Sequence, residues 1–349
     1  MTAEISTLEI HLEPLRRFLN DRSVNEICVN RPQVVWTECS GKWARYEVPE
    51  ITATWCTDAG RLTKNHSSQD MNVEHPMMGA TLPGGERIQI VMPPIVAHTS
   101  ITIRVPSAES MSFDKIMATG SFENTRCEQS IRLTSAERTE LESTLPPHEK
   151  KLLELFRAKA WSDFLRMAVL YSQNVLMSGQ TGSGKTTLGN ALSELIPAQE
   201  RLITIEDARE MRMPQLNQVN MVYSRDGQGL AKTTPKQMME GTLRMRPDRV
   251  LPAELRGDEA FFFIQNVLNS GHPGTITTLH ANSSKLAFKR LLLMIQASPE
   301  GRGLAPEIIL ETLYSLIHVV IQTEKEPETG RKVVSEIYYD PAFARKQMG

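Results

Sequence analysis

The chain has 349 residues, enough for two domains of ordinary size, each with its own core. Its 39 lysines and arginines nearly balance 41 aspartates and glutamates, and the formal net charge of −2 argues against a protein that grips nucleic acid along its whole surface. Four cysteines, Cys28, Cys39, Cys56 and Cys127, stand far apart with no C-x-x-C pair, which fits reduced thiols of a cytosolic protein and neither a disulfide frame nor a zinc site.

The first residues, Met1 to Ser6, lack the basic start and apolar core of a signal peptide, and no run approaches the roughly 18 apolar residues of a membrane span. Membrane association is therefore expected to be peripheral or through a partner. Ile5, Leu8, Leu12, Leu15, Phe18 and Leu19 recur at intervals of three and four, so the chain is expected to open with an amphipathic helix. Its other face is mixed in charge, which favours core packing over a membrane anchor. Short strands are expected at 26–29, 34–37 and 43–46, separated by Asn-Arg-Pro and Ser-Gly turns. A helix over about 52–64 and strands at 87–92 and 100–104 complete an α+β domain covering 1–105. Residues 106–147 are polar with few large apolar side chains and read as a linker with one or two short helices; Thr134 and Glu137 have capping-box spacing.

From there to the end, 148–349, the texture is that of an α/β domain. Strands expected at 201–205, 218–222, 249–251 and 274–278 alternate with helices, which implies a mainly parallel, helix-covered sheet. Its most informative segment is Gly179-Gln180-Thr181-Gly182-Ser183-Gly184-Lys185-Thr186, the pattern G-x-x-x-x-G-K-[ST] without a substitution. The glycines let the backbone curl so that successive N–H groups point at phosphate oxygens. Lys185 supplies a point charge for the β and γ phosphates, and the Thr186 hydroxyl can ligate Mg²⁺. A strand-like run, 174–178, precedes the loop. A good helix former, starting with Thr186 and Thr187, follows it, so phosphates sit at a helix N-terminus. The chain is thus expected to bind a nucleoside triphosphate with Mg²⁺.

Hydrolysis also needs carboxylates. Glu206 and Asp207 follow one expected strand and Glu254 follows another, and in an open parallel sheet the carboxyl ends of strands line one crevice. His272 and His280 flank a strand. On pattern alone each is a hydrogen-bonded structural histidine before it is a catalytic one, with His280, at the strand's C-terminal end, the better placed to sense a γ-phosphate.

The order of these blocks carries a resemblance. The phosphate loop, Ile203-Thr-Ile-Glu-Asp207, Leu243-Arg-Met-Arg-Pro-Asp-Arg249 running into Ala253-Glu-Leu-Arg-Gly257, and Gly271-His272 with Thr278-Leu-His-Ala-Asn282 are similar to the Walker A, Asp, Walker B and His boxes of the secretion ATPase superfamily. Val24 to Pro32 and Leu82 to Arg104 match its first domain. The likeness covers about 10–320, weakest over 106–147, and favours the type IV secretion branch. All four cysteines precede residue 130, so the four-cysteine zinc element of many pilus-assembly and type II motors is absent; retraction motors, which also lack it, stand second.

The resemblance implies a RecA-like ATPase domain in a homohexameric ring, cytoplasmic and peripheral at the bacterial inner membrane. Its partners are other cytoplasmic and inner-membrane components of a secretion channel, and DNA contact is not expected to be primary. It implies roles for Lys185 and Thr186 on phosphate and magnesium, Glu206 as base or water-orienting acid, Glu254 as the Walker B acid supporting Mg²⁺, and His280 as γ-phosphate reader. Arg87 and Arg104 match first-domain arginines that reach nucleotide phosphates; without the resemblance both read as surface strand positions. Pro252 stands where the family usually has an aliphatic residue, so either that strand ends at Leu251 or the missing N–H donor faces a gap. The competing readings are a RecA-like nucleic-acid motor, predicting DNA-stimulated hydrolysis, and a non-catalytic platform in which nucleotide only sets assembly. A small-molecule kinase is remote, since nothing resembles an acceptor pocket or lid.

Overall fold

Pro14 divides the first amphipathic stretch, because a proline cannot continue a helical ladder. The computed structural model, which describes residues 6–39, 41–105, 111–223 and 232–348, has three short pieces there: α1 (Thr7–His11), a 3-10 turn at Glu13–Leu15 and α2 (Arg16–Leu19). Leu8, Leu12, Leu15 and Phe18 are buried as the spacing predicts, while Ile5 lies outside the described residues. The described residues form two compact units.

The first unit continues with β1 (Glu26–Arg31), β2 (Val34–Cys39), β3 (Lys42–Glu47), α3 (Ala53–Ser67), β4 (Met77–Thr81), β5 (Arg87–Val91) and β6 (Ser100–Arg104). These strands make one antiparallel sheet in the order β3-β2-β1-β6-β5-β4. Alternation decides its faces: Ile88, Ile90, Ile101 and Ile103 enter the core beneath α1 and α3, whereas Arg87 and Arg104 turn the other way. His11 stacks on Trp55 with ring centroids 4.9 Å apart, and the Trp55 indole donates to the His11 carbonyl, fastening α1 to α3. Asp207–Arg209 also cluster with this unit.

The second unit holds α4 (Phe113–Ala118), β7 (Arg126–Glu128), α5 (Ser135–Ser143), α6 (Pro147–Arg157), α7 (Trp161–Leu170), β8 (Val175–Gly179), α8 (Lys185–Ser193), β9 (Leu202–Glu206) and β10 (Gln218–Val222). After these come α9 (Pro235–Thr242), β11 (Arg249–Pro252), α10 (Glu259–Phe262) leading into a π-helical turn, β12 (Ile276–Leu279), α11 (Ser284–Ala297), α12 (Pro306–Leu316), β13 (Val319–Lys325), β14 (Lys332–Tyr339) and α13 (Pro341–Met348). Strands run in the orders β10-β9-β11 and β12-β8-β13-β14-β7, and every described pairing here is parallel except β13 with β14. β8, β9, β11 and β12 are buried along their whole length, as central parallel strands are. No helix among the described residues is long and apolar enough to cross a membrane.

One expectation changes in detail. Residues 106–110 of the expected linker lie outside the described residues, but 111–147 pack within the second unit: Phe113, Ile116, Phe122 and Leu145 are buried in its core, and β7 pairs with β14. A few well-spaced apolar residues anchor a polar stretch, which composition alone does not reveal. The expected capping box forms, with Thr134 and Glu137 each bonding the other's backbone N–H. Pro252, in contrast, does lie within β11, in register with Ile205. The Ala253 N–H faces β9, donating to the Ile205 carbonyl at 2.9 Å, so position 252 turns its nitrogen to the opposite side. There β12 offers threonine hydroxyls instead of a ladder: Thr275 Oγ1 donates to the Val250 carbonyl and Thr278 Oγ1 to that of Ala253. The absent N–H forfeits no ladder bond.

Candidate active site

β8 carries the chain to Gly179, where a side chain has no room: a Cβ there falls 2.4 Å from both the carbonyl and the hydroxyl oxygen of Thr323 on β13. The loop then turns back, and Gly184 takes φ +97°, a conformation open to glycine, as the N-cap of α8. It offers no side-chain cap, so the N–H groups of the first helical turn stay available to an anion. Ser183 fastens the loop, its hydroxyl donating to the Gln180 carbonyl at 2.8 Å and meeting Thr323 Oγ1 at 2.7 Å.

Lys185 opens α8 with its side chain buried. Its ammonium donates to the carbonyls of Gly179 and Gln180 at 2.7 and 2.8 Å and stands 3.4 Å from His280 Nδ1. Burial lowers its pKa to about 8, against the pull of the Glu254 carboxylate. His280, just beyond β12, places Nδ1 3.1 Å from the Gly179 carbonyl and Nε2 3.2 Å from Glu254 Oε1. Glu254 follows β11, is mostly shielded from solvent and also pairs with Arg256. The structure therefore brings Lys185, His280 and Glu254 together at the loop, whereas His272 stands apart from this cluster, bonding through its backbone to Val267.

Glu206 ends β9 fully buried. Its Oε2 accepts the backbone N–H groups of Glu210 and Met211 at 2.8 and 2.7 Å, and Thr204 Oγ1 donates to Oε1 at 3.3 Å. Desolvation raises its pKa, and these hydrogen bonds oppose the shift. The carboxylate thus shapes the loop after β9, which Asn190 of α8 grips from the other side by donating to the Glu210 carbonyl at 2.9 Å. One consequence is a neighbour that sequence reasoning missed: Glu210 Oε2 lies 3.5 Å from Thr186 Oγ1, the hydroxyl expected at magnesium. Glu210 carries no positional signal of its own; only the fold of the 206–211 loop brings it there. Thr323 was missed for a similar reason, since pairing of β13 with β8 puts it against Gly179.

Magnesium keeps most of its waters and leans on one or two carboxylates plus substrate phosphates. Among the described residues no group of three or more His, Cys, Asp or Glu forms a cage, and a hydroxyl with one nearby carboxylate suits that mode. In the first unit, Arg87 and Arg104 face each other as cross-strand partners on β5 and β6. Like charges so placed repel, and carboxylates offset this: Arg87 Nη2 donates to Asp207 Oδ1 at 2.7 Å, and Arg104 Nε to Glu26 Oε1 at 3.0 Å.

Fold and loop define the class: an α/β protein with an anion-receiving glycine loop at a helix N-terminus. The family described as type II/IV secretion system protein matches residues 151–323. The chain is 42% identical to the type IV secretion system protein VirB11 of Bartonella quintana (strain Toulouse), over 97% of this chain and 94% of that one. It is 40% identical to VirB11 of Brucella suis biovar 1 (strain 1330), over 97% and 92%. Among solved structures, the VirB11 ATPase of the Brucella suis type IV secretion system in complex with sulphate matches with TM-score 0.54 and 39% identity, covering 98% of this chain and all of the other. The pilus retraction motor PilT with bound ADP matches with TM-score 0.58, covering 99% and 87%, and at 15% identity shows likeness of fold alone. The chain belongs to the secretion ATPase superfamily, as a motor protein of type IV secretion systems.

Proposed function

We propose that this protein hydrolyses ATP with Mg²⁺ in a RecA-like domain, residues 148–349, and spends the cycle on pilus biogenesis or substrate transfer. The single observation carrying this reading is the Lys185 ammonium, buried against the loop's own carbonyls with His280 and Glu254 beside it. A buried cation held by two carbonyls is a charge waiting for a stronger acceptor, and phosphate oxygens are one. Backbone N–H groups from Gly179 to Thr187, with the Lys185 ammonium, bind the phosphates. Thr186 and Glu254 hold magnesium, with Glu210 beside Thr186. Magnesium supplies charge for the phosphate oxygens. Glu206 orients the attacking water or sets the loop that does, and His280 senses the γ-phosphate.

Arg87 and Arg104 leave their carboxylate partners for nucleotide phosphate; two guanidiniums held side by side by acids are better used on a multiply charged anion. Movement of 1–105 against the rest of the chain, in whose core Phe113, Ile116, Phe122 and Leu145 are buried, is the mechanical output. A homohexamer, peripheral at the cytoplasmic face of the inner membrane and docked on other channel components, is the working form. Relatives at about 40% identity over nearly the whole chain support this reading.

Size-exclusion with and without ATP, run beside turnover with and without DNA, tests it. The motor reading expects an ATP-stabilised ring whose hydrolysis is insensitive to DNA. DNA-stimulated turnover would transfer the chain to the nucleic-acid motors, and ring formation without any turnover to the non-catalytic platforms.

A further inference from the structure

β13 runs beside β8, and its successive residues turn to opposite faces of the sheet. Thr323 goes to one face, where its hydroxyl meets Ser183 of the glycine loop. Gln322 goes to the other, where a polar row crosses the sheet at one level. Ser178 on β8, Gln322 on β13 and Glu336 on β14 are register partners, and Arg126 on β7 ends the row. Ser178, Gln322 and Glu336 are all buried. Burying polar groups costs stability unless they are bonded, so what these three bind matters.

All three hold one segment, residues 280–283 between β12 and α11 together with the first residue of the helix. Ser178 Oγ and Gln322 Nε2 both donate to the Ala281 carbonyl, at 3.3 and 3.2 Å. The Glu336 carboxylate accepts the Ser284 N–H that opens α11, one of the donors a helix cannot satisfy internally. Arg126 Nη2 donates to its other oxygen at 3.1 Å. The chain is thus tied down at Ala281, immediately after His280, and again at Ser284. The His280 side chain keeps 43% of its surface exposed, so packing alone does not fix the ring. Its approach to the Gly179 carbonyl and to Glu254 depends on where the backbone puts it.

Gln322 is only half satisfied. Its Oε1 is buried with no hydrogen-bond partner among the described residues, and a buried acceptor left unpaired costs stability. The Ala281 carbonyl, for its part, has Ser178 as a second donor. For the fold alone, an apolar side chain of similar length would serve as well or better, so stability does not account for a glutamine here. We propose that Gln322 is a positioning residue for hydrolysis: by clasping the Ala281 carbonyl it holds His280 beside Lys185 and Glu254, where the γ-phosphate is read. The proposal rests on the reading of His280 given above and adds the group that aims it.

Phosphate release by the full chain with Mg²⁺ and ATP, compared with single and double variants, tests the proposal. Gln322→Met, similar in length and volume, should lower kcat by ~fivefold or more, the scale of one hydrogen bond felt in the transition state. KM should move by less than about threefold, and the melting temperature should hold or rise. In a His280→Ala background the loss should vanish, with the double variant within about twofold of His280→Ala alone, as expected when one residue acts through the other. If Gln322→Met fails to fold, Ser178→Ala, which removes the other donor to Ala281, should lower kcat by about threefold or more at unchanged KM. A kcat effect smaller than these, a loss carried in KM, or a full further loss in the double variant would each overturn the positioning role while sparing the nucleotide site. Normal turnover by His280→Ala would overturn it too. An unaltered chain that releases no phosphate would instead overturn the ATPase reading, and the positioning role with it.

Discussion

Glu254 and Glu206 end up in different company although both follow parallel strands. Glu254 faces His280 and Arg256 and lowers the cost of the buried Lys185 charge. Glu206 is spent on two backbone N–H groups of the following loop. A carboxamide of the same shape keeps most of these contacts but carries no charge and takes no proton. Glu254→Gln should therefore still bind a fluorescent ATP analogue while phosphate release slows by ~10²-fold or more, the scale of lost acid–base assistance. Glu206→Gln keeps an oxygen for the Glu210 and Met211 N–H groups, so it should fold and bind; loss of turnover there assigns the water-orienting charge to Glu206 itself. Normal turnover in both would move that role elsewhere, with Asp207 next to be tested.

At the scale of elements, one buried pair fastens the strands that present these residues. Arg249, at the start of β11 and almost without exposure, donates from Nη2 to Glu200 Oε1 at 3.0 Å and from Nη1 to the Gly274 carbonyl at 3.2 Å. Those bonds tie together the approaches to β9, β11 and β12. Removing one partner strands the other as an uncompensated charge, so Arg249→Ala should cost about 3–5 kcal/mol in urea unfolding, with Glu200's partial exposure favouring the lower end. A loss below about 1 kcal/mol would mean that the pair is no more than a surface contact. Much of this frame was legible beforehand. Strong alternation gave β1, β2, β3, β5 and β6 within a residue or two, and short apolar runs gave β8, β9, β10, β11 and β12. β4, with Gly79 and Ala80 at its centre, has little strand propensity, and it exists because β5 pairs with it. β7 is three residues long and is held by β14, more than two hundred positions away, a pairing with no local signature. The expected single N-terminal helix failed at Pro14, where the apolar spacing persists but the backbone ladder cannot.

Over the whole molecule, the four ordered motif blocks located the loop, Glu254 and His280 from sequence, because each sits at a strand end that the parallel topology brings to the loop. Glu210 and Thr323 were not legible, since their proximity depends on loop paths and on strand pairing between distant segments. Near-neutral charge gives the molecule no global attraction to a polyanion. The central claim is that chemistry at this loop powers the molecule, and phosphate release by the full chain against its Lys185→Ala variant tests it most directly. The unaltered chain should release phosphate from ATP in the presence of Mg²⁺, and the variant, lacking the charge that meets the phosphates, should release none above background while melting at a similar temperature. Near-equal release by the two proteins would contradict the assignment of the nucleotide site itself.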